Sequence, residues 1–192
     1  MNLDALSDLV LAAVVLFLAW RDGPLRPGVA LGLGLIGAAA LVGVARYSGL
    51  EWALGPHRFL SMLGGVLGLP LVAISLRWPQ GMIATTFAAA SRFALLVGAV
   101  GVLLVVGVKL SVWGQVLPAV AALLIAWTAF DDRRIGMLVG AALLLATFAM
   151  SVGQFVIPFL NALRQLHYLM ALALFLVVSI SRKSKVESIS TN

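Results

Sequence analysis

Cysteine is missing from these 192 residues, and charge is scarce. Without a thiol there is no disulfide, no thiolate nucleophile and no cysteine-held metal. Only 10% of the residues are charged, where a soluble domain carries about 25%. Imidazoles number just 2. They are His57 and His167, and neither sits in the H-x-x-x-H or H-E-x-x-H spacing that gathers zinc ligands on one helix face. Acids are few as well, 7 against 13 Lys and Arg, for a net charge of +6. That balance does not point to nucleic acid, because the basic residues punctuate apolar runs and form no stripe.

What the chain does have is apolar surface. Hydrophobic residues make up 62% of it, and the mean hydropathy is +1.12. A water-soluble fold of this size leaves too much of its surface exposed to hide that share. Lipid is therefore the expected solvent. Seven runs approach the roughly 20 residues that cross a hydrocarbon core: about 4–20, 27–46, 58–77, 88–109, 113–130, 135–152 and 165–181. The first is read as a retained helix rather than a signal peptide. It carries Asp4 and Asp8 where a basic segment would stand, and it lacks a small-residue cleavage site. Residues 79–91 and 153–164, the latter broken at Pro158, read as interfacial pieces.

The expected fold is an all-α polytopic membrane bundle of seven transmembrane helices, residues 1–181, followed by a short polar tail, 182–192. Lys and Arg placement orients it. With the N-terminus outside, Arg21, Arg26, Arg77, Arg133, Arg134, Arg182, Lys183 and Lys185 are cytoplasmic, while Arg46, Arg58, Lys109 and Arg164 are external. Arg92 lies within the fourth run, near its inner end. Trp20, Trp78 and Trp127 fall at inner ends, and Tyr47, Trp52, Trp113 and Tyr168 at outer ends, the depth that amphipathic rings prefer. The expected location is a multi-pass protein of a bacterial inner membrane, with membrane lipids as partners.

One motif argues otherwise. Residues 32–37 read GLGLIG, a literal G-x-G-x-x-G, and Glu51 follows at the distance a dinucleotide fold requires. Such a cradle needs a strand before the glycines and a helix starting at them. Here the motif lies inside an uncharged spanning run. Gly28, Gly32, Ala39 and Gly43, like Gly64 and Gly68, instead offer small residues at helical spacing for close helix packing. No dinucleotide is expected.

Polar residues at membrane depth carry most of the functional information. "DDRR" at 131–134 reads as a solvated turn rather than a paired-carboxylate site. The outer end is richer. His57, Arg58, Ser61, Glu51, Arg164, His167 and Tyr168 form a candidate pocket there. The bland alternative is a set of interfacial residues bonded to headgroups, water and helix ends. Three chemistries fit the residue types. His57 and His167 with Glu51 or Asp8 would supply three zinc ligands. The two histidines on facing helices would suit a b-type haem. Ser48 or Ser61 beside a histidine base would suit a hydrolase. Transport has less support, since no repeat and no mid-span carboxylate is evident. The leading expectation is a lipid- or small-ligand-binding or accessory bundle, with a degenerate zinc-dependent intramembrane lipid hydrolase and a bis-His haem electron-transfer protein as alternatives.

The stretch RQLHYLMALALF, residues 164–175, resembles the seventh helix of the superfamily of alkaline ceramidases and progestin/adipoQ receptors. The resemblance implies a seven-helix membrane fold and, for many members, zinc-dependent hydrolysis of lipid amides. It also implies zinc-binding histidines at the end of the second helix and the start of the seventh. His167 stands for the second histidine of the family's H-x-x-x-H, whose first falls on Leu163. In "VARYSG" only Ser48 echoes the family's second helix, and "HRFLSMLGG" puts His57 and Arg58 where the family has an acid. These departures imply a relative whose metal site is altered or lost.

Overall fold

The chain begins a helix at once because Asn2 caps it: the Asn2 side chain accepts from the Asp4 backbone N–H, and Asp4 places negative charge in the first turn. The computed structural model describes residues 2–110, 112–153 and 161–190. Among them every regular element is helical: α1, Leu3–Asp22; α2, Pro27–Tyr47; α3, Glu51–Arg77; α4, Phe87–Gly107; α5, Trp113–Asp131; α6, Ile135–Gly153; and α7, Ala162–Ser190. Six stretches are long and apolar enough to cross a membrane, and α6 adds a shorter apolar one, Ile135–Met150. The described residues thus form a helical bundle that fits a multi-pass membrane protein, and GLGLIG sits in the middle of α2 with no strand among them.

Local chemistry sets the boundaries. Pro27 starts α2, where its missing N–H costs nothing. Gly49 ends it with φ +99, a left-handed conformation that glycine adopts without strain. Around it, Gly49 N–H bonds Arg46 O at 3.1 Å and Leu50 N–H bonds Ala45 O at 3.2 Å, the paired bonds of a Schellman cap. Inside α3 the backbone widens into a π turn over Gly64–Gly68, two residues before Pro70. A proline there removes one intrahelical bond and crowds the preceding turn. The wider turn relieves that crowding.

Several boundaries differ from expectation. The third helix starts at Glu51, through a 3-10 turn over Glu51–Ala53, and not near residue 58, so Glu51 opens α3 instead of lying in a loop. The stretch 79–91 is a single turn, Met82–Thr85, followed by α4, whose cap is Thr86. The polar tail continues α7 as helix as far as Ser190. Residues 154–160, with Gln154 and Pro158, lie outside the described residues.

Six helices close a ring in the order α1, α2, α3, α5, α6, α7, with α7 returning to α1. The remaining helix, α4, leans on α2 and α3 from outside. Glycine makes the tightest joint: a Cβ on Gly32 would lie 2.5 Å from Gly68 O, and one on Gly68 would lie 2.9 Å from Gly32 O. The α2 and α3 backbones touch there, as small residues permit. At the end away from the N-terminus, Leu18, Val29, Val72, Ile125, Met137 and Val177 pack into a solid core. Polar clasps tie that end together. Arg26 donates to Ser181 Oγ at 2.7 Å and to Ser181 O at 2.9 Å. Arg77 pairs with Asp131 at 2.8 Å, so "DDRR" is more than a solvated turn: one of its acids joins α5 to α3.

Candidate functional site

Where the far half of the ring is solid, the half near the N-terminus is hollow. A cavity of about 890 Å³ lies inside it, and all six ring helices contribute to its wall. The wall is mostly apolar, with Leu11, Ile36, Leu69, Leu145, Phe148 and Met170 among its residues. Polar groups on it are Asp8, His57, Ser61, Gln115 and His167. Along α3 the lining runs from His57 to Leu69, twelve residues or roughly 18 Å of helix.

A glycine makes the polar corner possible. A Cβ on Gly43 would collide with the Asp8 carboxylate and would lie 2.9 Å from His57 Cε1. The bare Cα of α2 therefore admits both side chains, one from α1 and one from α3. Asp8 is 1% exposed, and its Oδ1 lies 3.1 Å from His167 Nδ1. The distance suits an ion pair, yet neither Asp8 oxygen accepts a hydrogen bond of good geometry. Buried carboxylates ordinarily have such partners.

The ring nitrogens can be assigned from their neighbours. His57 Nδ1 is 3.1 Å from Ala39 O. A carbonyl only accepts, so Nδ1 carries the proton, and the neutral ring keeps a lone pair on Nε2. Ser7 Oγ donates to Asp4 O at 2.8 Å, and therefore accepts from His167 Nδ1, 3.1 Å away. His167 is thus also protonated at Nδ1, with Nε2 holding the lone pair. Ser7 and Asp8 meet the same nitrogen of His167, so the three do not form a serine–histidine–aspartate relay, which needs both ring nitrogens.

Cations stay at the rim. Arg164 Nε pairs with Asp4 Oδ1 at 2.7 Å, and Asn161 donates to the same oxygen at 2.9 Å. Arg46 lies over the Tyr47 ring at 4.8 Å, and Tyr47 meets His57 edge-on at 5.8 Å. Among the described residues no Lys or Arg lines the cavity.

The structure brings His57, Ser61 and His167 to one cavity and leaves the other candidates outside its lining. Glu51 and Arg58 are exposed. Arg164 is held at the rim, and Tyr168 is half-buried away from the wall. The carboxylate at the site is Asp8, not Glu51. Ser7 and Gly43 belong to the site although neither stands out among candidate ligands in the sequence. Among the described residues no hydrogen bond joins Ser61 to His57, and Ser48 merely caps α2.

Nor do these residues fit zinc. Among the described residues no group of three His, Cys, Asp or Glu side chains is placed to hold a metal ion. A haem between the imidazoles fares no better. His57 and His167 come from opposite members of the ring, but Asp8 reaches between them, its Oδ1 beside His167 and its carboxylate against the same Gly43 that His57 touches. No protein family, curated protein or solved structure compared with this chain matches it.

Proposed function

We propose that this is a multi-pass membrane protein whose hollow end receives an apolar, lipid-like ligand, with the N-terminus and the cavity on the outer side of the membrane. The cavity carries the reading. A volume of about 890 Å³, walled by six helices and backed by a solid core, lies at the upper end of the range for small-molecule sites. Its apolar wall suits a hydrocarbon body, and the corner where Asp8, His57 and His167 come together suits one polar end of it. The chain then works as a binding or accessory bundle. A hydrolase would need a nucleophile, a base and an orienting group in sequence, and the Ser7, Asp8 and His167 contacts do not supply that order.

Filling the cavity tests the proposal. Ala119 lies on its wall. The Ala119→Trp variant is expected to retain the helical circular dichroism of the wild type while losing co-purifying lipid or other apolar ligand, read by mass spectrometry of solvent extracts. Equal ligand content in the two proteins would overturn it.

A further inference from the structure

Resting on that reading, we infer that the polar end of the ligand is a hydrogen-bond donor, a hydroxyl or an ammonium, and not a carboxylate or a phosphate. The corner that would meet it is made of acceptors. Asp8 is buried and lines the cavity, and neither of its oxygens is hydrogen-bonded. The proton of His57 is spent on Ala39 O, and that of His167 is directed at Ser7 Oγ and Asp8 Oδ1. Each neutral ring keeps only an Nε2 lone pair to offer. Ser61 and Gln115 both donate and accept, so they do not discriminate.

Among the described residues this wall offers an anionic head no Lys or Arg as counter-charge. Arg164 is paired with Asp4 and Arg46 lies against the face of Tyr47, both outside the lining. A carboxylate or phosphate would enter that wall unpaired, and burying an unpaired charge is strongly unfavourable. A donor head does the reverse, giving the Asp8 carboxyl oxygens the well-formed hydrogen bond they lack. The same corner therefore selects for one head-group polarity and against the other.

Three probes with one chain and different heads separate the cases: dodecan-1-ol, dodecylamine and dodecanoate, each radiolabelled. Binding is measured to wild-type protein in phosphatidylcholine nanodiscs, above the background of empty discs and of discs carrying Ala119→Trp. Saturable binding of the alcohol and the amine, each at least tenfold tighter than dodecanoate, is expected. Dodecanoate binding as tightly as either would overturn the inference and leave the cavity reading standing. Absence of saturable binding by all three would overturn the cavity reading itself. Because the ranking is read on the wild type, it does not depend on whether a site variant folds. As a second measurement, Asp8→Asn is expected to weaken dodecylamine by at least tenfold while changing dodecanol less.

Discussion

Gly43 is the residue on which the polar corner turns. Nothing but hydrogen fits on its inner side, because the Asp8 carboxylate and the His57 ring occupy the space a methyl would take. Gly43→Ala should therefore destabilise the protein by about 1–3 kcal/mol, the usual cost of overpacking. It should also weaken ligand retention. Thermal unfolding in detergent reads the first effect and extraction the second. A melting temperature unchanged from wild type would show that Asp8 and His57 are not wedged against α2. At this scale the sequence was half legible. His57 and His167 stand out as the two imidazoles of the chain, and both belong to the same end. Asp8 was one of two acids the sequence offered beside the histidines, and nothing in the chain preferred it to Glu51, since a carboxylate on the second turn of a first helix reads equally well as a solvated end group. Its burial is decided by a glycine thirty-five positions later, on another helix. Ser7 was invisible for a similar reason: serines are common in such helices, and this one matters through a contact with α7.

At the scale of the element, α2 shows what its glycines are for. Gly32 and Gly68 bring two backbones together, whereas a Cβ on Gly34 would meet nothing within 4 Å. Gly32→Ile should force α2 and α3 apart and cost at least about 1–3 kcal/mol. Gly34→Ile should leave the melting temperature close to that of the wild type. Equal effects at the two positions would remove the close-packing account. Small residues at i, i+4 spacing made this joint readable from the chain, and GLGLIG lies within a helix instead of between a strand and a helix start. Helix starts were read less well. The polar turn over Glu51–Ala53 interrupts the apolar run ahead of residue 58, yet hydrogen bonding carries the helix through it. Hydropathy reports where lipid could be, not where backbone bonds begin.

For the whole molecule, six of the seven apolar runs reappear among the described residues as helices long enough to cross a membrane and the seventh as a shorter one, while the order of the ring and its hollow half were not legible. A helix in lipid is apolar toward its neighbours and toward the acyl chains alike, so no polar face marks which side turns inward. Leu95 and Leu96 of α4, both more than 70% exposed, look no different in sequence from the buried Leu71 and Leu174. Orientation is testable because the chain has no cysteine. Single cysteines at Trp52 and at Arg133 stand at opposite ends of the bundle, and both positions are exposed. In intact cells an impermeant maleimide should label Trp52→Cys at once, and Arg133→Cys only after lysis. The reverse pattern would invert the proposed topology and place the cavity mouth on the cytoplasmic side.

Ring closure has a bearing on how the protein comes into being. Of the ring helices, α1 is made first and carries Asp8, and α7 is made last and carries His167, whose Nδ1 lies 3.1 Å from Asp8 Oδ1. Until that final segment inserts between α6 and α1, the acid faces an open seam, and the chamber lacks one of its six staves. Biosynthesis thus delays the hollow half of the ring until the sixth of its helices has been made, and a transcript cut short after α6 would yield a bundle with one side open.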